Sequence, residues 1–414
     1  MNVEKKVPEI RFKGFSEEWI VNNLGELIDI RSAARVHKEQ WTETGVPFFR
    51  TSDVVSIYKG QENTKAYISH EVYEGLSDKI GKVAKDDLLI TGGGSIGIPY
   101  LVPNDEPLYF KDADLLWLKN NKRFNGYFLY TFFFSEPFKK HIKSISHIGT
   151  IAHYTIEQAK ATPINTCGDA EQTQIGNTFQ KLDSLINQHQ QQHDQLSNIK
   201  KSMLEKMFPK IGETIPEIRF KGFSGEWESE VLGSVVSFYK GKGLPKSSIQ
   251  DDGVYPCIHY GELFTKYSEV IEVVTSRTNQ SDNVFSACND VLMPTSDVTP
   301  NGLVKPCCVK QSGVVLGGDI LVIRPNDKSV IDGAFLGRFI RTREQQVLQN
   351  VTGSTVFHLY ASSIESLDIV FPSIEEQETI GNYFQKLTAL INQHQQQITK
   401  LTHIKQACLS KMFI

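Results

Sequence analysis

The sequence predicts an α+β protein with two tandem domains, joined by two long helices that form an antiparallel coiled coil, and with an internal pseudo-twofold repeat. Residues 7–19 (VPEIRFKGFSEEW) return as 215–227 (IPEIRFKGFSGEW). Residues 175–209 return as 380–414, and LINQHQQQ is intact in both copies. The segments between these echoes have diverged. A period of this size indicates duplication of a whole domain together with a helix.

Length and composition are those of an ordinary globular protein. With 414 residues, 40% of them apolar and 22% charged, each half is long enough to bury its own core. The net charge of −4 and the pI near 6.3 do not favour nucleic-acid binding, although bulk charge averages over all surfaces. One local asymmetry exists, because residues 231–250 contain Lys240, Lys242 and Lys246 and no acid.

Cysteine usage and the absence of long apolar runs predict a soluble, cytoplasmic protein. The six cysteines show no metal-ligand spacing, and reduced thiols are the expected state. The first residues lack the apolar core of a signal peptide, and no run approaches the length that spans a membrane.

Two long helices are predicted over 175–207 and 380–412. Apolar residues recur there at alternating steps of four and three, which indicates a seam that needs a partner helix. The helices can pair antiparallel, with one globular head at each end, and each would be about 50 Å long. His189, His193 and His394 fall on the seam, where a polar position that fixes the helix register explains them better than a metal site.

Each head is predicted to be β-rich with a helix after the strands. Short alternating runs cut by glycine, proline and asparagine predict strands, at 86–102, 112–119, 290–304 and 317–326. The segments 124–142 and 331–346 predict helices, with Gly126 and Gly333 at matching positions. The predicted organisation is two heads and two helices, at 1–165, 166–209, 210–372 and 373–414.

A basic turn is the first candidate for a DNA contact. In Lys240-Gly-Lys242-Gly, the glycines let the backbone approach a phosphate and the lysines neutralise its charge. The alternative is a solvated hairpin. Lys246 continues this turn, and the first head offers Arg31, Arg35, His37 and Lys38 in the same place.

Two polar loops that follow strands at equivalent places are the second candidates. They run over 91–95 and 295–302, and their polar groups can meet base edges or phosphates or simply shape the turns. Hydroxyls in 147–153 and 352–358 could bind phosphate, while His153 and His358 are expected to be structural. The candidate side chains are Thr91, Ser95, Thr150, Ser296, Thr299, Asn301, Ser354 and Thr355.

Motifs of self-sufficient enzymes are absent from the sequence. GGGSIG at 92–97 lacks the lysine and serine that end a phosphate-binding P-loop, and no acidic residue follows at dinucleotide-binding spacing. We find no methyltransferase signature and no clear Ser/His/Asp set. The sequence therefore favours a non-catalytic chain.

The whole chain resembles the specificity subunit of type I restriction–modification systems. The resemblance rests on an opening motif that ends in Trp19 or Trp227, the KGKG turn, and the strand 255–263 (YPCIHYGEL), which contains Tyr260. It also rests on the exit segment 353–377, followed by a coiled-coil helix. The first half departs from this pattern, since IRSAARVHK replaces the KGKG turn.

This resemblance implies a non-catalytic DNA reader. The divergent heads would be target recognition domains that each read half of an asymmetric bipartite site, with Tyr260 among the contacts. The helices would fix the gap, at most about 15 base pairs, and bind two modification subunits. S-adenosylmethionine, ATP and Mg²⁺ would belong to those subunits and to two restriction subunits. A stand-alone DNA-binding regulator or decoy, and a coiled-coil scaffold for proteins, remain open alternatives.

Overall fold

The computed structural model describes residues 7–112, 114–145 and 153–414. The chain divides into two compact units. The first unit comprises Met1–Gln190 and Gln395–Ile414, and the second comprises Gln191–His394. Each of the two long helices therefore contributes to both units.

The first unit combines short strands with helices. Its strands are β1 Ile20–Asn23, β2 Asp29–Arg31, β3 Trp41–Thr42, β4 Val46–Phe49, β5 Tyr67–Ile68, β6 Leu88–Thr91, β7 Pro99–Leu101, β8 Tyr109–Phe110, β9 Leu115–Lys119 and β10 Pro163–Thr166. Its helices are α1 Leu24–Leu27, α2 Thr51–Lys59, α3 His70–Ile80, α4 Gly126–Phe132, α5 Glu136–Ile145, α6 Ile156–Lys160 and the long α7 Asp169–Lys206.

The second unit has more strands and ends in the other long helix. Its strands are β11 Glu228–Val231, β12 Val236–Lys240, β13 Tyr255–Ile258, β14 Val270–Ile271, β15 Arg277–Thr278, β16 Val284–Phe285, β17 Asp290–Pro294, β18 Ser296–Asp297, β19 Cys307–Val309, β20 Val315–Leu316, β21 Ile320–Pro325, β22 Phe357–His358 and β23 Asp368–Phe371. Its helices are α8 Leu232–Val235, α9 Glu262–Thr265, α10 Gly333–Thr342, α11 Glu344–Gln349 and α12 Ile374–Lys411.

The main sheets of the two units share one order for four strands, and the second unit has additional pairings. The first unit has sheets ordered β2-β9-β6-β7 and β3-β5-β4-β8 and a β1-β10 pair. The second has β12-β21-β17-β19-β14, β15-β13-β20-β16 and the pairs β11-β23 and β18-β22. The main sheet of the second unit therefore gains a fifth strand, β14, which lies parallel to β19.

The central strands are buried on both faces, which explains their continuous apolar runs. In β6, Leu88 and Ile90 pack with α4, while Leu89 packs in a separate cluster with Trp117. Alternate residues of a strand point to opposite faces, so both layers are filled from one short strand. The strands predicted over 86–102, 112–119, 290–304 and 317–326 are confirmed.

The predicted long helices are confirmed, and each has 38 residues. They begin six residues earlier than predicted, at Asp169 and Ile374. In the first unit the start of α7 meets the end of α12, since Phe179 contacts Phe413. In the second unit the start of α12 meets the end of α7, since Phe384 contacts Phe208. The helices therefore pair antiparallel within each unit.

Both cores are built around the echoed tryptophan. Trp19 packs against Phe128 of α4 and against Phe413. The equivalent Trp227 packs against Phe335 of α10 and against Phe208. Each core thus needs a head, the start of one helix and the last residues of the other. That requirement gives a physical reason why the opening motif and the helices kept their sequence while the heads diverged.

The glutamines in the echoed AEQ and EEQ motifs link the long helices to the heads. Gln172 accepts a hydrogen bond from the backbone N–H of Asn125, and Gln377 accepts one from that of Asp332. Asn125 and Asp332 are themselves the N-caps of α4 and α10. The sequence expectation of one helix over 124–142 and one over 331–346 was wrong in detail, because each is divided in two. In the first unit, Pro137 at the second position of α5 marks the restart, as helix first turns tolerate proline.

All six cysteines are free thiols. Over the described residues, no helix has both the length and the apolar character needed to cross a membrane.

Candidate nucleic-acid interface

In the second unit, the structure joins the polar loop after β17 to the segment that follows α11. Ser296 pairs with His358 in an antiparallel bridge, and the N–H of Leu359 donates to the carbonyl of Thr295 over 3.1 Å. Thr352 and His358 exchange backbone hydrogen bonds of 3.1 and 2.7 Å, which closes the turn between them. We call residues 295–302 and 352–359 the second paired-loop site.

The second paired-loop site collects five of the predicted contacts. Its 3-10 turn, Pro300–Leu303, packs beside both β18 and β22. The Ser296 hydroxyl lies 3.0 Å from Nδ1 of His358. The other four side chains are exposed to solvent, namely Thr299, Asn301, Ser354 and Thr355. Sequence reasoning put these residues in two separate motifs, and folding brings the motifs to one place.

The first unit repeats this arrangement with different side chains. The N–H of Tyr154 donates to the carbonyl of Gly92 over 2.8 Å, and Gly93 bridges antiparallel to His153. These contacts match those of Leu359 with Thr295 and of Ser296 with His358. We call residues 91–97 and 153–154 the first paired-loop site. Thr150, which was predicted to contact DNA, lies outside the described residues.

Two hydroxyls of the first paired-loop site have different environments. Thr91 is fully buried, and its hydroxyl donates to the carbonyl of Ser95 and accepts the N–H of Ile98 at 2.9 Å. Ser95 itself is exposed. Thr91 therefore shapes the turn, and Ser95 is the hydroxyl that the turn presents to solvent.

The lysines of the KGKG turn are exposed, but the turn is not a hairpin. Strand β12 ends at Lys240 and pairs with β21, about 80 residues later in the chain. Lys242 bridges to Gly317 in parallel. A side chain at Gly241 would place its Cβ 1.9 Å from the Gly317 carbonyl oxygen. Gly241 is therefore required by contact between two backbone turns, whatever the lysines bind.

These basic side chains remain available for a ligand. Lys240 and Lys246 are exposed, and Lys242 forms an ion pair of 3.0 Å with Asp282, whose side chain is 99% exposed. Ion pairs this exposed contribute little to stability, so Lys242 could exchange Asp282 for a phosphate at small cost.

Tyr260 follows β13, the strand that pairs with β20 just before Gly317. Its half-buried ring stands 4.7 Å from the His259 ring. Glu262 holds the segment by accepting the N–H of His259 over 2.9 Å. Burial alone would raise the pKa of Glu262, but hydrogen bonds from Ser276 and His259, together with Lys266, hold it below its ordinary value.

In the first unit, the basic candidates lie at the end of β2 and in the loop after it. Arg31 forms an ion pair with Asp29, and Arg35 and Lys38 are exposed. The loop is fixed by Tyr109, whose hydroxyl donates to the Ala34 carbonyl and accepts the Ala34 N–H, both at 3.1 Å. Burial raises the pKa of Tyr109 to about 12, so this hydroxyl keeps its proton at neutral pH.

Sequence reasoning missed the apolar part of the second paired-loop site. Val298 is 72% exposed at the tip of its loop, and Tyr360, the residue directly after the site, is 53% exposed beside His358. Apolar side chains can contact the methyl group of thymine in the major groove. An aliphatic residue in a polar loop could have suggested this, because exposed apolar side chains often mark interaction sites.

Within residues 7–112, 114–145 and 153–414, no group of three or more histidine, cysteine, aspartate or glutamate side chains could hold a metal ion.

Comparisons with known proteins agree with these observations. The type I restriction modification DNA specificity domain matches residues 16–198 and again 224–403. A putative type I restriction enzyme specificity subunit of Haemophilus influenzae is 28% identical over 170 residues, which cover 40% of this chain and 41% of that protein. The match thus spans about two fifths of this curated relative.

Solved structures share the fold. The crystal structure of the S subunit of a type I restriction–modification system from M. genitalium has a TM-score of 0.64 at 15% identity, covering 99% of both chains. A structure from work on complex assembly and conformational transition of the type I R-M system has a TM-score of 0.50 at 16% identity, covering 94% of this chain and 96% of that one.

Two matches to one domain, covering most of the chain, define its class. The chain belongs to the type I restriction–modification DNA specificity family, and its two repeats are two specificity domains.

Proposed function

We propose that this chain reads a split, asymmetric DNA sequence, with one half-site for each unit. The observation that carries this proposal is the recurrence of one backbone arrangement, the paired-loop site, with different side chains in the two units. Direct readout requires hydrogen-bonding and apolar side chains on a fixed backbone, presented to base edges. Since the first site offers Ser95 and the second offers several hydroxyls and Val298, the two half-sites differ.

Phosphate contacts would come from exposed cations in each unit. Lysine and arginine contacts to phosphate supply affinity without sequence information and make binding dependent on salt. Lys240, Lys242 and Lys246 have this role in the second unit, and Arg35 and Lys38 have it in the first. A local basic surface of this kind is compatible with a net charge of −4.

Chemistry on the DNA would be performed by partner subunits. Two modification subunits would supply the methyl group from S-adenosylmethionine, and two restriction subunits would use ATP and Mg²⁺ to cleave. The repeated helices support paired stoichiometry, because each repeat can offer an equivalent docking surface. In this proposal the chain is the non-catalytic subunit of an adenine methyltransferase and site-specific deoxyribonuclease complex.

The test is co-expression of the full chain with its modification subunit in a host that lacks both, followed by genome-wide detection of methylated bases. We expect one asymmetric motif in two parts, with a constant gap. The matched control is the modification subunit alone, which should leave the host DNA unmethylated. Association without methylation would indicate a dead or decoy head, and absence of association would indicate a protein scaffold. Either result would reject the proposal.

A further inference from the structure

A single carboxylate joins the second head to the long helices of its unit. Glu269 accepts a 2.6 Å hydrogen bond from Lys200 of α7 and a 3.2 Å hydrogen bond from Arg341 of α10. Its other oxygen lies 3.4 Å from Nε of Arg338. Three cations therefore converge on one anion, and that anion comes from the loop between α9 and β14.

The centre of this cluster, Glu269 with Arg338, is largely buried, so the balance of charge there affects stability. The side chain of Arg338 is 3% exposed and that of Glu269 is 13% exposed. Nε of Arg338 and Oε2 of Glu269 are both buried without a hydrogen bond. Burial alone would raise the pKa of Glu269, but Lys200 and Arg341 hold it below its ordinary value. Loss of the carboxylate would leave the buried Arg338 and the partly exposed Lys200 and Arg341 without this partner, and an uncompensated charge at Arg338 is strongly unfavourable.

The first unit pairs the corresponding lysine with a different acid. Lys405 occupies the position in the repeat that corresponds to Lys200, and it forms an ion pair with Asp183 of α7. The hydroxyl of Tyr127 donates to the same aspartate over 2.6 Å. At the position of Asp183, the second repeat has Thr388, which accepts from Lys200 over 2.8 Å. The first unit therefore places the acid on its long helix, and the second unit places it in its head.

The segment that carries Glu269 is the addition that distinguishes the two sheets. The carbonyl of Glu269 accepts the N–H of Cys308 over 2.8 Å, which starts the pairing of β14 with β19. Three residues later, Glu272 accepts a 2.8 Å hydrogen bond from Gln385 of α12. One short segment thus contacts the sheet of the head and both long helices.

We propose that Glu269 is a positioning residue that fixes the second head to the helix pair through charge. The consequence for recognition, which rests on the proposed function, is that the second head is not freely exchangeable. A replacement for residues 210–372 must place a carboxylate near Lys200, whereas the first unit keeps its acid, Asp183, on the helix.

The first test needs only the purified full chain. Glu269→Gln removes the charge with little change of shape, and Asp252→Asn, at an exposed acid of the same head, is the matched control. We expect amide hydrogen exchange in residues 194–206 to become roughly tenfold to a hundredfold faster in Glu269→Gln, the range for a lost bond to a charged group. The control should exchange like the parent chain.

A double variant distinguishes the loss of charge balance from a loss of packing. The double variant Glu269→Gln with Lys200→Gln removes a cation together with the anion, and we expect it to recover much of the lost protection. Folding of the double variant where Glu269→Gln alone fails to fold would support the proposal equally. Equal loss in the single and double variants, or no loss in the single variant, would overturn it.

The effect of Glu269 on recognition is tested with the complex of this chain and its modification subunit. Glu269→Gln should relax the requirement for a constant gap, so that sites with one base pair added are methylated more readily relative to the cognate site. Unchanged discrimination would overturn the link to recognition. Because hydrogen exchange is measured without DNA, a chain that directs no methylation would reject the proposed function and leave the test of Glu269 intact.

Discussion

Arg219 forms a two-point ion pair with Glu376, with Nε–Oε1 and Nη2–Oε2 distances of 2.7 and 2.6 Å. The Glu376 side chain is 1% exposed. Arg11 and Glu171 make the same pair in the first unit, with both distances at 2.7 Å. These arginines belong to the echoed PEIRF motif, and the glutamates to the echoed helix starts. The strongest sequence echoes thus meet each other in space.

Replacing Arg219 with methionine should lower the free energy of unfolding by about 3 kcal/mol or more, because Glu376 would be left buried without its partner. Urea unfolding followed by circular dichroism measures this loss. Lys221→Met, two residues away and exposed, is the control and should change little. Equal stability of the two variants would show that the pair does not hold the motif to the helix.

Replacing Phe413 with alanine should destabilise the first unit by about 3 to 5 kcal/mol, the usual cost of removing a buried phenylalanine. Its ring contacts Trp19, Phe128 and Phe179. The quantity to follow is hydrogen exchange in β6 and β9, which should accelerate. Ile404→Ala, at a side chain 40% exposed on α12, the helix that ends just before Phe413, is the control, and an equal effect there would contradict this role for Phe413.

Removing the exposed hydroxyls of the second paired-loop site should alter one half-site only. We expect Ser354→Ala with Thr355→Val to reduce methylation of the cognate site or to change one part of its motif, since base-edge contacts discriminate by about 1 to 3 kcal/mol each. Methylome sequencing of the co-expressed complex measures the motif. Ser363→Ala, in the 3-10 turn Ala361–Ser363, is the control. A change in both parts of the motif would refute separate readout by the two units.

Neutralising Lys240 and Lys242 should weaken DNA binding uniformly across sequences. Each lost phosphate contact should reduce the slope of log affinity against log salt by about 1. Fluorescence anisotropy over a salt series measures this slope. Lys328→Gln is the control, because this exposed lysine follows β21 at the end opposite the one paired with Lys240. An unchanged slope in the double variant would remove these lysines from the interface.

Acid should weaken the second unit through Glu269. The folded-state pKa of Glu269 lies below its ordinary value of 4.5. Its charge therefore contributes stability above pH 4.5, and this contribution is lost as the pH falls through the folded-state pKa. Hydrogen exchange of residues 194–206, corrected for the intrinsic pH dependence, should show a loss of protection below pH 4.5. Glu269→Gln should show a flatter dependence of protection on pH. If the variant and the parent chain had parallel pH profiles, Glu269 would not be the group responsible.

The features of the fold that could be predicted were those with a repeated or periodic sequence. Echoed residues such as Trp19 and Trp227 marked equivalent places, and the seam predicted the helix pairing, because heptad spacing has a direct geometric meaning. Both segments of each paired-loop site were also identified from the sequence. The contact between the two segments could not be predicted, since the bridge between Ser296 and His358 joins residues 62 apart in the chain and a single sequence carries no signal for such pairs.

Other features could not be predicted for similar physical reasons. Strand β14 has only two residues, too few for an alternating pattern to stand out. The role of Glu269 depends on Lys200, 69 residues earlier, and an acid in a polar stretch usually faces solvent. Gly241 was expected to admit a phosphate, and it instead admits the backbone of Gly317.

The contact of Trp19 with Phe413 also has a consequence for how the protein is made. A ribosome emits Phe413 almost four hundred residues after Trp19. At 5 to 20 residues per second, the first head waits about 20 seconds or more for the side chains that close its core. The second head has Phe208 from α7 already in place when its own strands emerge. Of the two heads, the one that is translated first is thus the one whose core closes last, and it is the head more exposed to chaperones and proteases in the interval.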